Sequence, residues 1–316
     1  MEKTTVSTAT AEDVRELLDA TRNHGVPDIR EGLTKRTIYV PVKHGAIRVL
    51  HFMPENPVSR RPLVFVPGWG TLLEGFQDLY EVLYGRVEMY MIETREKKSS
   101  RMDRFRADFT MHRKAEDIGE AIRYLGLDLR DFVLMGSCWG SAMILQGVMD
   151  ETVDAPTIVT IDPMHRLWYP QWMLNYVAPL LPVFLLRALK PVLKTIQLRN
   201  MHEPAQRKRV EAFIKNAVMW KWKRAAYHVR NFELFGNLTN IKREIIVFNG
   251  TNDTIHDQRD YPKIAKELPG GRFIFMEADE SDRERLMGIV AREFALVREE
   301  DGVPELLRRF EVELTR

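Results

Sequence analysis

Residues 132–143 read FVLMGSCWGSAM, and they hold Cys138, the single cysteine of a 316-residue chain. The apolar run DFVLM leads in, and SAMILQGVM leads out with helical character. Between them stands Gly136-Ser137-Cys138-Trp139-Gly140, a small-x-nucleophile-x-small pattern at a strand-to-helix turn. Such a sharp turn crowds the residues two before and two after its apex, so only small side chains fit there. That rule selects the apex. Ser137 would need small residues at Met135 and Trp139, and Ser141 would need them at Trp139 and Met143; Cys138 has Gly136 and Gly140. The alternative is that Cys138 is a small buried hydrophobe without chemistry.

Outward from this turn, short apolar strands alternate with helices. LVFVP (63–67), VEMYMIE (87–93), DFVLM (131–135), TIVTI (157–161), EIIVFN (244–249) and RFIFM (272–276) read as strands. Helical stretches lie near 74–84, at 111–125, from about 139, near 260–268 and from about 283. Ahead of them, a helix over 11–21 precedes TIYVPV and AIRVLHFM, two strands joined as a hairpin around His44–Gly45. This alternation predicts an α/β protein with a mostly parallel sheet covered on both faces. It stops at about 163 and resumes at about 241. The predicted division is an N-terminal helical extension (1–34), a core (35–162 and 241–316) and an inserted helical cap (163–240).

Composition sets outer bounds. The chain is 45% hydrophobic and 29% charged, ordinary for a globular domain, and 47 Lys and Arg against 45 Asp and Glu name no partner. A lone cysteine makes no intrachain disulfide, and MEKTTVSTATAEDVREL lacks the apolar core of a secretory signal. The expected compartment is the cytoplasm. The longest uncharged run, LWYPQWMLNYVAPLLPVFLL (167–186), has the length of a bilayer span. Pro170, Pro179, Pro182, Gln171 and Asn175 interrupt it, which predicts a buried or interfacial segment instead.

With the turn and the alternation together, the chain resembles the α/β-hydrolase fold superfamily over roughly residues 35–298. Its cysteine elbow is similar to that of the polyhydroxyalkanoate synthases. The resemblance implies a nucleophile, Cys138, at the N-terminus of a helix whose dipole favours a thiolate and a developing oxyanion. It implies an oxyanion hole from the backbone N–H groups of Trp139 and of Trp69, in Pro67-Gly68-Trp69-Gly70 after strand LVFVP. The following loop departs from the family. ETREKKSS has no glycine where the family carries Asp-x-x-Gly-x-Gly-x-Ser, so that loop must take another path. The resemblance assigns the acid to Asp253 in NGTNDTI, and Asp-x-Ile there also resembles the acid loop of the polyhydroxyalkanoate synthases. Asp162, ending strand TIVTI, is the reserve acid. The family's histidine belongs after the last strand, but MEADESDRERLMG contains none and places Glu280 near that position. His256, three residues past Asp253, and His165, just past Asp162, are the remaining candidates for the base. No metal or cofactor is implied.

The cap segment is aromatic and basic. Trp168, Trp172 and Tyr176 are the expected substrate-cap residues, and Trp220 and Trp222 follow. Between Arg187 and Arg230 there are 12 Lys or Arg residues against two acids, Glu203 and Glu211. An apolar lining with a basic exterior suits a small-molecule acyl substrate, such as an acyl-CoA or a lipid, or peripheral contact with an anionic membrane. A solvated basic face on an amphipathic cap is the plainer alternative. The apolar run argues against a nucleic-acid track. Two functions follow: a hydrolase or acyltransferase acting on a hydrophobic acyl ester or thioester, or a catalytically silent relative that binds a ligand or partner.

Overall fold

Residues 35–52 set the edge from which the sheet grows. Strands β1 (Lys35–Val42) and β2 (Gly45–Phe52) form the expected antiparallel hairpin, with Val42 opposite Gly45. The computed structural model describes residues 10–31, 35–167, 170–199, 204–251 and 258–315. Next come β3 (Leu63–Val66), α2 (Gln77–Leu83), β4 (Met89–Ile92), β5 (Arg101–Met102), α3 (Met111–Tyr124), β6 (Val133–Ser137), α4 (Trp139–Met149) and β7 (Thr157–Ile161). After the cap, β8 (Glu244–Thr251), α10 (Asp260–Glu267), β9 (Gly270–Ala278) and α11 (Arg283–Leu296) complete the alternation. Helix α1 (Ala11–Ala20) precedes the hairpin and is closed by a capping box between Thr10 and Asp13.

The strand order is β1-β2-β4-β3-β6-β7-β8-β9-β10, and the run from β4 to β9 is parallel. The period-two pleat divides the apolar side chains between the two faces. Val64, Val66, Leu134, Ile158, Val247 and Phe273 pack with one cluster, which includes Ile118, Ile122 and Ile144 from α3 and α4. Phe65, Met135, Val159, Ile246, Phe248 and Ile274 pack with another, which includes Leu79, Val82, Ile289 and Val290 from α2 and α11. Both faces are therefore covered, which accounts for strands that are apolar throughout.

Two short strands depart from the sequence expectation. The chain does not end its regular structure at α11: α12 (Glu305–Arg308) and β10 (Glu311–Val312) follow, with β10 on β9 and Arg272 paired to Glu311 at 2.6 Å. The glycine-free loop after β4 leads to the other short strand. It ends in β5, which lies on β2, opposite Gly45 and Ala46. Two-residue strands are too short to display alternation.

The chain leaves the sheet after β7 and returns at β8. At the base of this excursion Arg166 and Glu233 form an antiparallel bridge, and Leu234 N–H donates to His165 C=O at 2.9 Å. Between these legs lie a π-helical turn (Met173–Val177), α5 (Ala178–Leu180), α6 (Val183–Ala188), α7 (Lys190–Leu198), α8 (Pro204–Asn216) and α9 (Met219–His228). The prolines cut the apolar run as expected, Pro179 in the first turn of α5 and Pro182 capping α6. Among the described residues no helix is long and apolar enough to cross a membrane.

Candidate functional site

Cys138 stands at the carboxyl end of β6, where open parallel sheets place their ligands. Its backbone has φ 55° and ψ −117°, outside the regions a non-glycine residue favours. The neighbourhood holds it there. Cys138 N–H donates to Ile161 C=O at 2.8 Å, and its own carbonyl accepts from Ala142 at 3.2 Å. The flanking glycines are sterically required, as the pattern predicts. A Cβ on Gly136 would come within 2.6 Å of the Ser141 nitrogen, and one on Gly140 would overlap the Val66 carbonyl. The thiol is half-buried. Neither neighbouring serine competes for its place. Ser141 Oγ both donates to Ile161 C=O and accepts from Ile161 N–H at 3.0 Å, while Ser137 Oγ accepts from Arg283 at 3.1 Å.

The loop after β3 lies against the elbow. A Cβ on Gly68 would stand 3.2 Å from Cys138 Cβ and 3.6 Å from Sγ. The N–H groups of Trp69 and Trp139 donate to no protein acceptor among the described residues. Over this loop sits an aromatic cluster shared by core and cap. Trp69 meets Trp139 edge-on at 5.9 Å and Trp222 at 6.2 Å; Trp139 meets Phe232 at 5.8 Å, and Phe213 meets Trp222 at 4.3 Å. Gly70, at φ 63°, lies directly under Phe213 and Trp222, whose rings occupy the space of any side chain there.

The loop ETREKKSS, which by its charge reads as surface, is folded inward. Lys97 is buried and donates from Nζ to Gly68 C=O at 3.1 Å and Thr71 C=O at 2.5 Å. Burial pushes its pKa down, while Glu93, Glu96 and the negative charge available to Cys138 oppose the shift. Glu96 and Lys114 are also buried, 3.7 Å apart, and Lys114 Nζ lies 4.5 Å from the centre of the Trp69 ring. Arg95 forms a bidentate pair with Asp117 at 2.5 Å on both arms. From the cap, Lys221 donates to the carbonyls of Lys97 at 2.7 Å and Ser100 at 2.5 Å. Burial lowers the Lys221 pKa to about 8. Lys97 and Lys221 were missed by sequence reasoning, because spacing does not mark which lysine of a charged loop or amphipathic helix turns inward.

The acid and base candidates separate. Asp162 ends β7 with φ 45°, is almost fully buried, and accepts from Asn249 Nδ2 at 2.7 Å and from Arg283 Nε at 2.8 Å. Its partner is therefore an arginine, drawn from the start of α11 after the last parallel strand. Arg283 occupies the stretch in which the family resemblance expects a histidine. Nothing in MEADESDRERL marks Arg283 as the residue reaching the strand ends. Its neighbour Arg285 turns away to Thr21, Asp78 and Glu81. Glu280 is half-buried in the single turn Glu280–Asp282 before Arg283. His165 faces the base of the cap: Nδ1 lies 3.0 Å from Glu233 and Nε2 lies 3.2 Å from Asp260. Each ring nitrogen thus has a carboxylate beside it. Asp253 and His256 lie outside the described residues.

Of the expected substrate-cap residues, Trp172 and Tyr176 take no part in the aromatic cluster over the elbow. Trp172 is 62% exposed and Tyr176 72%, while Trp168 lies outside the described residues. The cap's basic character is also partly internal. Lys190, Lys223, Arg224 and Lys221 are held by backbone carbonyls, and Arg209 pairs with buried Glu284 at 2.6 Å. No group of His, Cys, Asp and Glu arranged to hold a metal occurs among the described residues.

Comparison with known proteins agrees with this fold. The model of the Alpha/beta hydrolase family matches residues 63–281. A hydrolase structure from Pseudomonas aeruginosa PA01 is similar at TM-score 0.62 and 16% identity, covering 86% of this chain and 100% of its own. An esterase from Exiguobacterium antarcticum gives 0.63 and 14%, covering 80% and 97%. An epoxide hydrolase from Vigna radiata gives 0.58 and 14%, covering 82% and 95%. No curated protein sequence matches the chain.

Proposed function

The chain belongs to the alpha/beta hydrolase family, and from that premise we propose that it cleaves esters or thioesters of hydrophobic acyl groups, with Cys138 as nucleophile. The observation that carries the reading is the elbow. Cys138 alone stands at its apex in the strained conformation, half-exposed, while both neighbouring serines are hydrogen-bonded away. The structural neighbours include an esterase and other hydrolases, in keeping with acyl cleavage.

In the proposed first step, the Cys138 thiolate adds to the acyl carbonyl carbon. The developing oxyanion is held by the N–H groups of Trp69 and Trp139, two donors worth several kcal/mol in a site shielded from water. Collapse expels the alcohol or thiol, which takes up the proton that Cys138 gave to the proposed base, His256, and leaves an acyl-cysteine. Water, or an acceptor hydroxyl or thiol in an acyl transfer, then releases the acyl group. A thiol is a better nucleophile than a hydroxyl, so a cysteine at this position depends on a base less than a serine would. Asp253 and His256 remain the proposed acid and base.

Arg283 favours a second reading, a catalytically silent relative. A guanidinium bound to Asp162 takes no part in proton transfer at neutral pH. The two readings separate on one experiment. The protein is treated with iodoacetamide or a fluorophosphonate probe near neutral pH, and the adduct is located by mass spectrometry beside p-nitrophenyl ester assays. Rapid modification of Cys138, with ester turnover lost in Cys138→Ala, supports the enzyme. An inert Cys138 and no turnover on esters of any chain length support the silent protein.

A further inference from the structure

The outer layer of the cap carries more exposed apolar surface than its buried side explains. Trp172, Tyr176, Leu180, Phe184, Val192 and Ile196 are all more than half exposed, from 51% at Val192 to 82% at Leu180. Trp172 precedes the π-helical turn, and the others lie on that turn, α5, α6 and α7. The first three of these elements pack their other side on α9, and α7 packs on α8. Val192 and Ile196 are one helical turn apart and share a face. A monomeric soluble protein rarely displays this many large apolar side chains in one neighbourhood without a partner.

The charges within this segment have one sign. Residues 170–199 contain four cations, Arg187, Lys190, Lys194 and Arg199, and no acid. Lys194 is paired with Glu211 at 3.1 Å and Lys190 donates to the carbonyls of Lys215 and Ala217, whereas Arg187 and Arg199 stand exposed. Aromatic and aliphatic side chains projecting between cations, on helices too short to span a bilayer, suit a surface that rests in the lipid interface. A second copy of this chain is the poorer occupant. A two-fold contact would bring the same cationic face against itself.

We propose that the outer face of the cap, formed by residues 172–196, docks the protein on an anionic lipid bilayer. The apolar side chains enter the headgroup boundary, and Arg187 and Arg199 lie against the lipid phosphates. This inference rests on the cap surface alone and does not depend on what Cys138 does.

The test is co-sedimentation of the full-length chain with two kinds of vesicle, phosphatidylcholine alone and phosphatidylcholine mixed with phosphatidylglycerol. Binding is expected to the mixed vesicles and to weaken with added salt. Phe184→Asp and Leu180→Asp change solvent-exposed positions, and each is expected to lower binding about tenfold or more. Arg187→Glu with Arg199→Glu is expected to remove the preference for the anionic vesicles, each lost cation being worth about fivefold. Hydrogen exchange on the unmodified protein keeps the test open should a variant fail to fold, because vesicles should then slow exchange within residues 172–196. Absence of binding to either vesicle at low salt overturns the proposal. So does self-association, seen by sedimentation velocity, that protects the same residues without lipid and disappears in Phe184→Asp.

Discussion

Arg283 reaches Asp162 from across the sheet edge, its Nε 2.8 Å from Oδ2, and with its other arm it holds the Ser137 hydroxyl at 3.1 Å. One guanidinium thus ties the end of β7 to the residue preceding Cys138. Removing it alone leaves a carboxylate that is only 3% exposed without its counter-charge. Arg283→Met is therefore expected to destabilise the fold by about 3–5 kcal/mol. The double variant Asp162→Asn, Arg283→Met should recover much of that loss. Urea unfolding of the four proteins completes the cycle, and additive losses would mean that the pair is not coupled.

Gly140 tests the elbow's sterics. Its missing Cβ would overlap the Val66 carbonyl, which belongs to a central strand and has little room to move. Gly140→Ala is expected to cost about 1–3 kcal/mol as overpacking and to displace the loop after β3. A lowered melting temperature together with slower Cys138 alkylation is the expected pair of results. An unchanged melting temperature would show that the strand gives way easily.

Lys97 bears on the neighbouring loop. Lys97→Met keeps most of the buried volume but removes the donor to Gly68 C=O and Thr71 C=O. If the enzymatic reading holds, kcat/KM is expected to fall about tenfold, less than the roughly 10²–10³-fold lost with a direct oxyanion donor, because Lys97 acts through the loop that carries Trp69. The protein should still unfold cooperatively, and Cys138 should still be alkylated. A variant with unchanged kcat/KM would reduce Lys97 to a packing residue.

Lys221 gives a pH signature. Its folded pKa is lowered from 10.5 to about 8 by burial, so above pH 8 the unfolded chain binds more protons than the folded one. Stability rises with pH wherever the unfolded state holds more protons. The penalty for burying this ammonium is therefore fully present below about pH 8 and fades as the pH climbs toward 10.5. The wild type should gain on Lys221→Met across that window when denaturant midpoints are compared at each pH. A constant difference between the two proteins would contradict the shift.

The parts of this molecule legible from sequence are those governed by local sterics and periodicity. Gly136 and Gly140 report the elbow because the crowding that requires them lies within a few residues, and the apolar strands report the sheet because both its faces are covered. Inward-turning charges were hidden. Glu96, Lys97 and Lys114 look like solvated surface in a linear sequence. Their burial depends on Trp69, Thr71 and Lys221 arriving from distant segments. The cap's 12 cations likewise suggested a basic exterior, yet Lys190, Lys221, Lys223 and Arg224 are engaged by carbonyls whose positions only the fold supplies. Arg283 was hidden by chemistry, since the stretch after β9 called for an imidazole and the pairing with Asp162 joins residues 121 apart.

The two buried lysines also bear on how freely this architecture can be altered. Lys221 on α9 grips the backbone of Lys97, and the Lys97 side chain grips the loop that lies against the thiol. Gly70 in that loop sits under Phe213 and Trp222 of the same cap. The excursion between β7 and β8 is thus not an interchangeable module joined to the core by greasy contact alone. A graft carrying a foreign cap would need to bring a lysine and two rings to the same places, or the loop beside Cys138 would lose its shape along with its cover.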